Sequence, residues 1–190
     1  MSLLDEIQKE LERQPIPVNR YRPLAGEGRS QAWGVVNRRC LIPDYSRNCW
    51  ARPYLYKLLL DYGREHVKIP FSSVTVNQNY QATAHRDKGN IGESYLIGFG
   101  DYTGGELEIH EGLQMGLHDI RQPIVADFTK VLHSVKDFQG NRYSLVYYTC
   151  KKSDGLPEAS VELQNGKWVF LRGGVVCKGL PHPLAGRVKS

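Results

Sequence analysis

Asn77-Gln78-Asn79-Tyr80-Gln81-Ala82-Thr83-Ala84-His85-Arg86-Asp87-Lys88-Gly89-Asn90 is the stretch on which the reading of this chain turns, and His85-Arg86-Asp87 is its centre. In an extended strand running into a loop, residues two apart project to the same side. The His85 imidazole and the Asp87 carboxylate can therefore grip one ion together. Two histidines and one carboxylate can occupy one face of an Fe(II) ion and leave its other positions open. The third ligand has to come from a distant strand, and His133 lies 46 residues beyond Asp87 in Val131-Leu132-His133-Ser134-Val135. Nine residues further on comes Arg142, in Asn141-Arg142-Tyr143-Ser144-Leu145-Val146-Tyr147-Tyr148. A buried arginine one strand beyond the distal histidine is suited to holding a carboxylate, which its planar fork meets bidentately. A bare H-x-D arises by chance in many sequences, so the order of the elements carries the weight.

Outward from this stretch the texture is β. Ser73–Asn77 alternates, Ser94–Phe99 is strand-like, and Gly104–His110 follows an expected turn at Asp101-Tyr102-Thr103. Pro123–Phe128, Val131–Val135 and Arg142–Thr149 complete a set of short, closely spaced strands, the pattern of a sandwich or barrel. Before them, residues 3–13 carry Leu3, Leu4, Ile7 and Leu11 at helical spacing, with Pro15 and Pro17 ending the helix. A second helix is predicted over 52–66, with Pro53 in its first turn. Ala25–Ser30 reads as a loop and Ala32–Val36 as a short strand. In the tail, Val161 and Leu163, then Asn165-Gly166, then Trp168 and Phe170 predict a hairpin. The last dozen residues read as a loose basic tail. The expected organisation is one globular domain: 1–70 packing on a core at 71–150, followed by 151–190.

At 190 residues the chain is long enough to bury one core. Its longest apolar runs are only a few residues, so neither a signal peptide nor a membrane span is expected, and the protein reads as soluble and intracellular. Cys40, Cys49, Cys150 and Cys177 are scattered with no C-x-x-C pair, which reads as reduced thiols. The net charge of +5 permits an anionic partner without proving one. Arg13, Arg20, Arg22, Arg29, Arg38, Arg39, Arg47 and Arg52 crowd the first third, either as a phosphate-contacting face or as a solvated one.

From Ser73 to Thr149 the sequence resembles the Fe(II)/2-oxoglutarate dioxygenases, and within them most closely the TET and base-J-binding hydroxylases of nucleic-acid bases. The resemblance rests on the H-x-D-x-x-N of His85–Asn90, the Gly104-Gly105-Glu106-Leu107 strand, His133, and the Arg142-x-Ser144-Leu145-Val146-x-Tyr148 strand. It implies an α+β protein whose core is a double-stranded β-helix (jelly-roll, cupin-like), with N-terminal helices packed on the major sheet. It implies iron held by His85, Asp87 and His133, and 2-oxoglutarate held by Arg142 and Ser144. Asn77 or Asn79 is expected near the cosubstrate, and His110 is either a cosubstrate contact or an exposed strand end. Asn90 and Tyr148 match positions that hydrogen-bond and stack on a flipped base. His66, His118 and His182 are given no role.

Two departures from the TET pattern stand out. Cys150 occupies the place of a base-reading histidine, and the cysteine-rich zinc region is absent. Cytosine is therefore not singled out over thymine. DNA is the expected partner and a monomer the expected state. Two alternatives stay open: a hydroxylase of a peptide or free amino acid on the same core, and a metal-binding, non-catalytic DNA-binding module.

Overall fold

Ser2 begins the first element by capping. Its hydroxyl accepts from the Asp5 N–H while the Asp5 carboxylate accepts from the Ser2 N–H, a reciprocal capping box. It opens α1 (Leu3–Arg13), which buries Ile7 and Leu11. The computed structural model describes residues 1–18, 26–37 and 43–177. In chain order there follow β1 (Gly26–Val36), β2 (Asp44–Tyr45), α2 (Asn48–Ala51), α3 (Pro53–His66), β3 (Ser73–Ala82) and β4 (Asn90–Gly104). After these come β5 (Leu107–Ile109), β6 (Gly116–His118), β7 (Ile124–Ala126), β8 (His133–Val135) and β9 (Phe138–Cys150). The chain continues through β10 (Ala159–Gln164), β11 (Lys167–Arg172) and β12 (Val175–Val176).

The larger sheet runs β2-β1-β3-β9-β4-β7, and every pairing in it is antiparallel. Alternation along its central strands divides two environments. Tyr143, Leu145 and Tyr147 of β9, Val74 and Val76 of β3, and Tyr95, Ile97 and Phe99 of β4 share one buried cluster with Ile7 and Leu11 of α1 and Leu55, Leu58 and Leu59 of α3. Each such side chain contributes about 1.5–3 kcal/mol of burial. The Tyr147 hydroxyl ties the sheet to α3 by donating to the Leu59 carbonyl at 2.7 Å. The intervening residues of β9 (Arg142, Ser144, Val146 and Tyr148) face a cavity on the other side of the sheet. A smaller antiparallel sheet, β6-β5-β8, closes that side: Leu107 and Ile109 of β5 pack with Leu96, Ile124, Ala126 and Phe128. The result is a mixed helical and antiparallel-sheet protein in two β layers, consistent with a jelly roll.

The Asn165-Gly166 hairpin forms as expected between β10 and β11, with φ of 51° and 74° at its two turn residues. Two expectations fail. Gly26–Ser30 is not a loop: it is the first half of β1, paired with β3 from Gly26↔Ala82 to Ser30↔Asn77. Its glycines mislead because they serve close approach, and a Cβ on Gly28 would come within 2.0 Å of the Asn79 carbonyl oxygen. Asp101-Tyr102-Thr103 is not a turn either. β4 continues through it, paired with Asn141, Gly140 and Gln139 of β9, and the chain turns at Gly104-Gly105. Ala25, Arg20, Arg22, Arg38, Arg39, Cys40, His182 and the basic tail lie outside the described residues. No described helix is long and apolar enough to cross a membrane.

Candidate active site

His85 and His133 meet through their backbones before their side chains. Each donates its N–H to the other's carbonyl at 3.0 Å, an antiparallel bridge that sets the two rings 4.4 Å apart. The Asp87 N–H donates to the Phe128 carbonyl at 2.9 Å, folding the H-x-D loop beside the segment that leads to β8. One ligand atom from each of His85, Asp87 and His133 lies within 4.8 Å of the others. Asp87 Oδ1 is 3.4 Å from His85 Nε2 and 3.9 Å from His133 Nε2. Both Nδ1 atoms are occupied: His85 Nδ1 is 2.7 Å from the Thr83 carbonyl and His133 Nδ1 is 3.1 Å from the Val131 carbonyl. A carbonyl only accepts, so each Nδ1 carries the proton and each Nε2 keeps its lone pair for a metal. Burial also lowers the pKa of the His133 imidazole, whose residue is 6% exposed, and so favours the neutral, ligating form.

Arg86, between the two ligands, ties the loops together. Its Nε donates to the Lys130 carbonyl at 3.0 Å, and its Nη2 donates to Glu111. Glu111 in turn accepts from the Leu132 N–H at 2.6 Å, one residue before His133. That backbone hydrogen bond is the main reason the Glu111 carboxyl lies below its ordinary pKa. The sequence pattern did not show this brace, because Glu111 sits on a loop outside the motif.

Arg142 is 2% exposed and forms no ion pair among the described residues. Its Nε donates to the Gly105 carbonyl at 3.1 Å, and its guanidinium lies 5.7 Å from the ring centres of Tyr102 and Phe138. Gly105 is required here, since a Cβ would come within 2.8 Å of Arg142 Cδ and Nε. Burial pulls the guanidinium pKa below its ordinary value. Ser144, two residues along the same face, accepts from Asn77 Nδ2 at 3.1 Å across the β3–β9 pair, leaving its own hydroxyl proton to donate. The Tyr102 hydroxyl, also missed by sequence reasoning, is buried with no partner among the described residues. It would lie 2.9 Å from a Cβ on Gly98, the residue paired with Ser144. A buried cation and a serine proton left to donate, both on the cavity wall, suit a carboxylate ligand.

Eight of the predicted site residues line one cavity of about 570 Å³: His85, Asp87, His133, Arg142, Ser144, Asn77, Asn90 and Tyr148. Asn90 is already engaged, its amide donating to Asp87 Oδ2 at 3.3 Å. Tyr148 is half-buried on the wall. Asn79 does not reach the cavity. At φ 49° it accepts the Arg142 N–H at 2.8 Å and so shapes the start of the Arg142 strand. His110 is exposed and sits 2.9 Å from the Ser134 hydroxyl. His66 and His118 lie off the cavity as well. Gln31 and Asn37 are wall residues with no sequence signal.

Comparison with solved structures finds the same architecture. A structure described as NgTET1 in complex with 5mC DNA superposes with a TM-score of 0.55 at 16% identity, over 80% of this chain and 69% of that one. An oxidoreductase of the 2OG-Fe(II) oxygenase family from Burkholderia pseudomallei gives a TM-score of 0.51 at 16% identity, over 76% and 74%. The chain has the fold of the 2OG-Fe(II) oxygenases. No family model matches the sequence, and no curated protein matches it.

Proposed function

We propose that the protein is an Fe(II)- and 2-oxoglutarate-dependent dioxygenase that hydroxylates the methyl group of a pyrimidine base, thymine or 5-methylcytosine, in DNA. The observation that carries the cosubstrate assignment is Arg142, a buried guanidinium without an ion pair among the described residues, on a wall of the cavity into which His85, Asp87 and His133 converge. A buried charge without a partner is costly unless a ligand supplies the counter-charge. The His-Asp-His donor set with proton-bearing Nδ1 atoms suits iron. Bound there with 2-oxoglutarate and O2, iron supplies the oxidising chemistry, in which oxoglutarate is converted to succinate and CO2 while a substrate C–H becomes C–OH.

The protein's own groups bind, orient and exclude water. Arg142 holds the distal carboxylate, and Asn77 turns the Ser144 hydroxyl so that its proton points to the same ligand. Asn90 steadies Asp87 by hydrogen-bonding Oδ2, which leaves Oδ1 toward the two histidines. Leu96, Phe128 and Val146 supply apolar wall. A base reaching this cavity has to leave its stack, and Tyr148 offers a ring for it to lie against. The TET-like fold and the basic composition support DNA as the partner.

The test is mass spectrometry of nucleosides after the iron-loaded protein is incubated with oxoglutarate and DNA carrying thymine or 5-methylcytosine. A hydroxymethyl product with matching succinate is expected. Oxoglutarate turnover driven by peptides or amino acids, with neither base oxidised, would move the substrate to the peptide class.

A further inference from the structure

A second cavity, of about 600 Å³, adjoins the first, with Gln31, Ala32 and Val36 of β1 lining both. Arg47, Asn48, Arg52 and Gln14 supply other walls, and no described lining residue is a carboxylate. The Arg52 side chain is 10% exposed, and its Nε is buried without a partner among the described residues. Behind it, Arg52 Nη2 donates to the Glu10 carbonyl at 3.3 Å and lies 3.9 Å from the Glu10 carboxylate. That carboxylate is already held by Arg13 through two hydrogen bonds of 2.7 and 3.0 Å. One carboxylate between two guanidiniums leaves positive charge uncancelled, and the exposed Arg47 adds to it. Asn48 donates its amide to Gln31 Oε1 at 3.1 Å, so the Gln31 amide nitrogen is left as a donor at the partition between the cavities.

We propose that this second cavity binds a phosphodiester of the DNA strand whose target base enters the first cavity. The inference rests on the nucleic-acid reading above and adds where the backbone runs. Guanidinium groups meet phosphate oxygens through paired charge-assisted hydrogen bonds. The shared β1 wall sets this anion site beside the cavity that takes the base, as the covalent link between a base and its flanking phosphates requires. Phosphate contacts of this kind fix register without reading sequence.

The test measures affinity for an oligonucleotide against salt concentration, for the full chain and its Arg47→Gln, Arg47→Lys and Arg52→Lys variants, each checked for an unchanged melting curve. Removing one phosphate-bound cation lowers the slope of log affinity against log salt by about 0.7–0.9. Arg47→Gln should show that decrease, and Arg47→Lys, which keeps the charge, should retain the slope. Arg52→Lys should weaken binding at every salt concentration, because an ammonium cannot reproduce the fork. A wild-type slope in Arg47→Gln together with unchanged affinity in Arg52→Lys would overturn the site while leaving the nucleic-acid reading standing. If the wild-type protein shows no salt-sensitive DNA binding, both fall together. Inorganic phosphate displacing the oligonucleotide at sub-millimolar concentration would make this a free-phosphate site and overturn the strand assignment.

Discussion

Arg142→Met separates what the arginine does for the fold from what it does for the cosubstrate. Arg142 is 2% exposed, and its side chain makes one hydrogen bond, to the Gly105 carbonyl at 3.1 Å, with no ion pair among the described residues. Methionine loses that bond but also removes an unpaired buried charge, and the two changes oppose each other. The iron-loaded variant without oxoglutarate should therefore melt within a few degrees of wild type. With oxoglutarate the two proteins diverge. A ligand at about one hundred times its Kd adds about 2.7 kcal/mol to stability. For a chain of this size that is a rise of roughly 5–10 °C, at about 2–4 °C per kcal/mol. Losing a bidentate charged pair in a desolvated pocket costs about 3–5 kcal/mol, or about a hundred- to a few thousand-fold in affinity. The wild-type rise should thus vanish in Arg142→Met at the same oxoglutarate concentration, with a matching increase in the KM for oxoglutarate. Arg142→Lys should recover only part of it. The assay is a thermal melt with and without oxoglutarate, paired with succinate formation. An oxoglutarate-induced shift and a KM both equal to wild type would move the cosubstrate site elsewhere.

Tyr148→Ala removes a stacking surface worth roughly 1–3 kcal/mol per base. Turnover of the DNA substrate should fall about ten- to a hundredfold while substrate-free oxoglutarate decarboxylation is spared; equal loss of both would make Tyr148 structural. Glu111→Gln weakens the brace through Arg86 and the Leu132 N–H, so iron affinity measured by chelator competition should drop several-fold, and an unchanged iron Kd would show the brace to be dispensable. Asn90→Ala should likewise lower iron affinity if the bond to Asp87 matters more than contact with a base. Burial pushes the Cys49 thiol up to about 11, so at neutral pH Cys49 should resist alkylation in the folded protein. The more accessible Cys177 should label before Cys49 and Cys150, as peptide mapping would show.

The geometry of the site was largely legible because it depends on alternation and order. Arg142, Ser144, Val146 and Tyr148 fall on one face of β9 by period two, and the H-x-D pair projects to one side for the same reason. The strand β1 was only half legible. Its Gly26–Ser30 half has loop composition, and only its partner β3, whose Asn79 bulges to φ 49°, makes it a strand. Asp101-Tyr102-Thr103 misled for the opposite reason, since polar residues on a long ribbon resemble a turn until the β9 partner is seen. The Arg86–Glu111 brace joins two loops 25 residues apart, and the Tyr102 hydroxyl, without a partner among the described residues, is buried by the fold; no local pattern encodes either.

The central claim, oxoglutarate-dependent chemistry at the His85–Asp87–His133 centre, is tested most directly by measuring succinate formed from 2-oxoglutarate by the iron-loaded protein and by its Asp87→Ala variant under air. The account predicts succinate from the wild type, and none above background from a folded Asp87→Ala that has also lost its iron. Absence of succinate from the iron-loaded wild type, or equal amounts from both proteins, would contradict it.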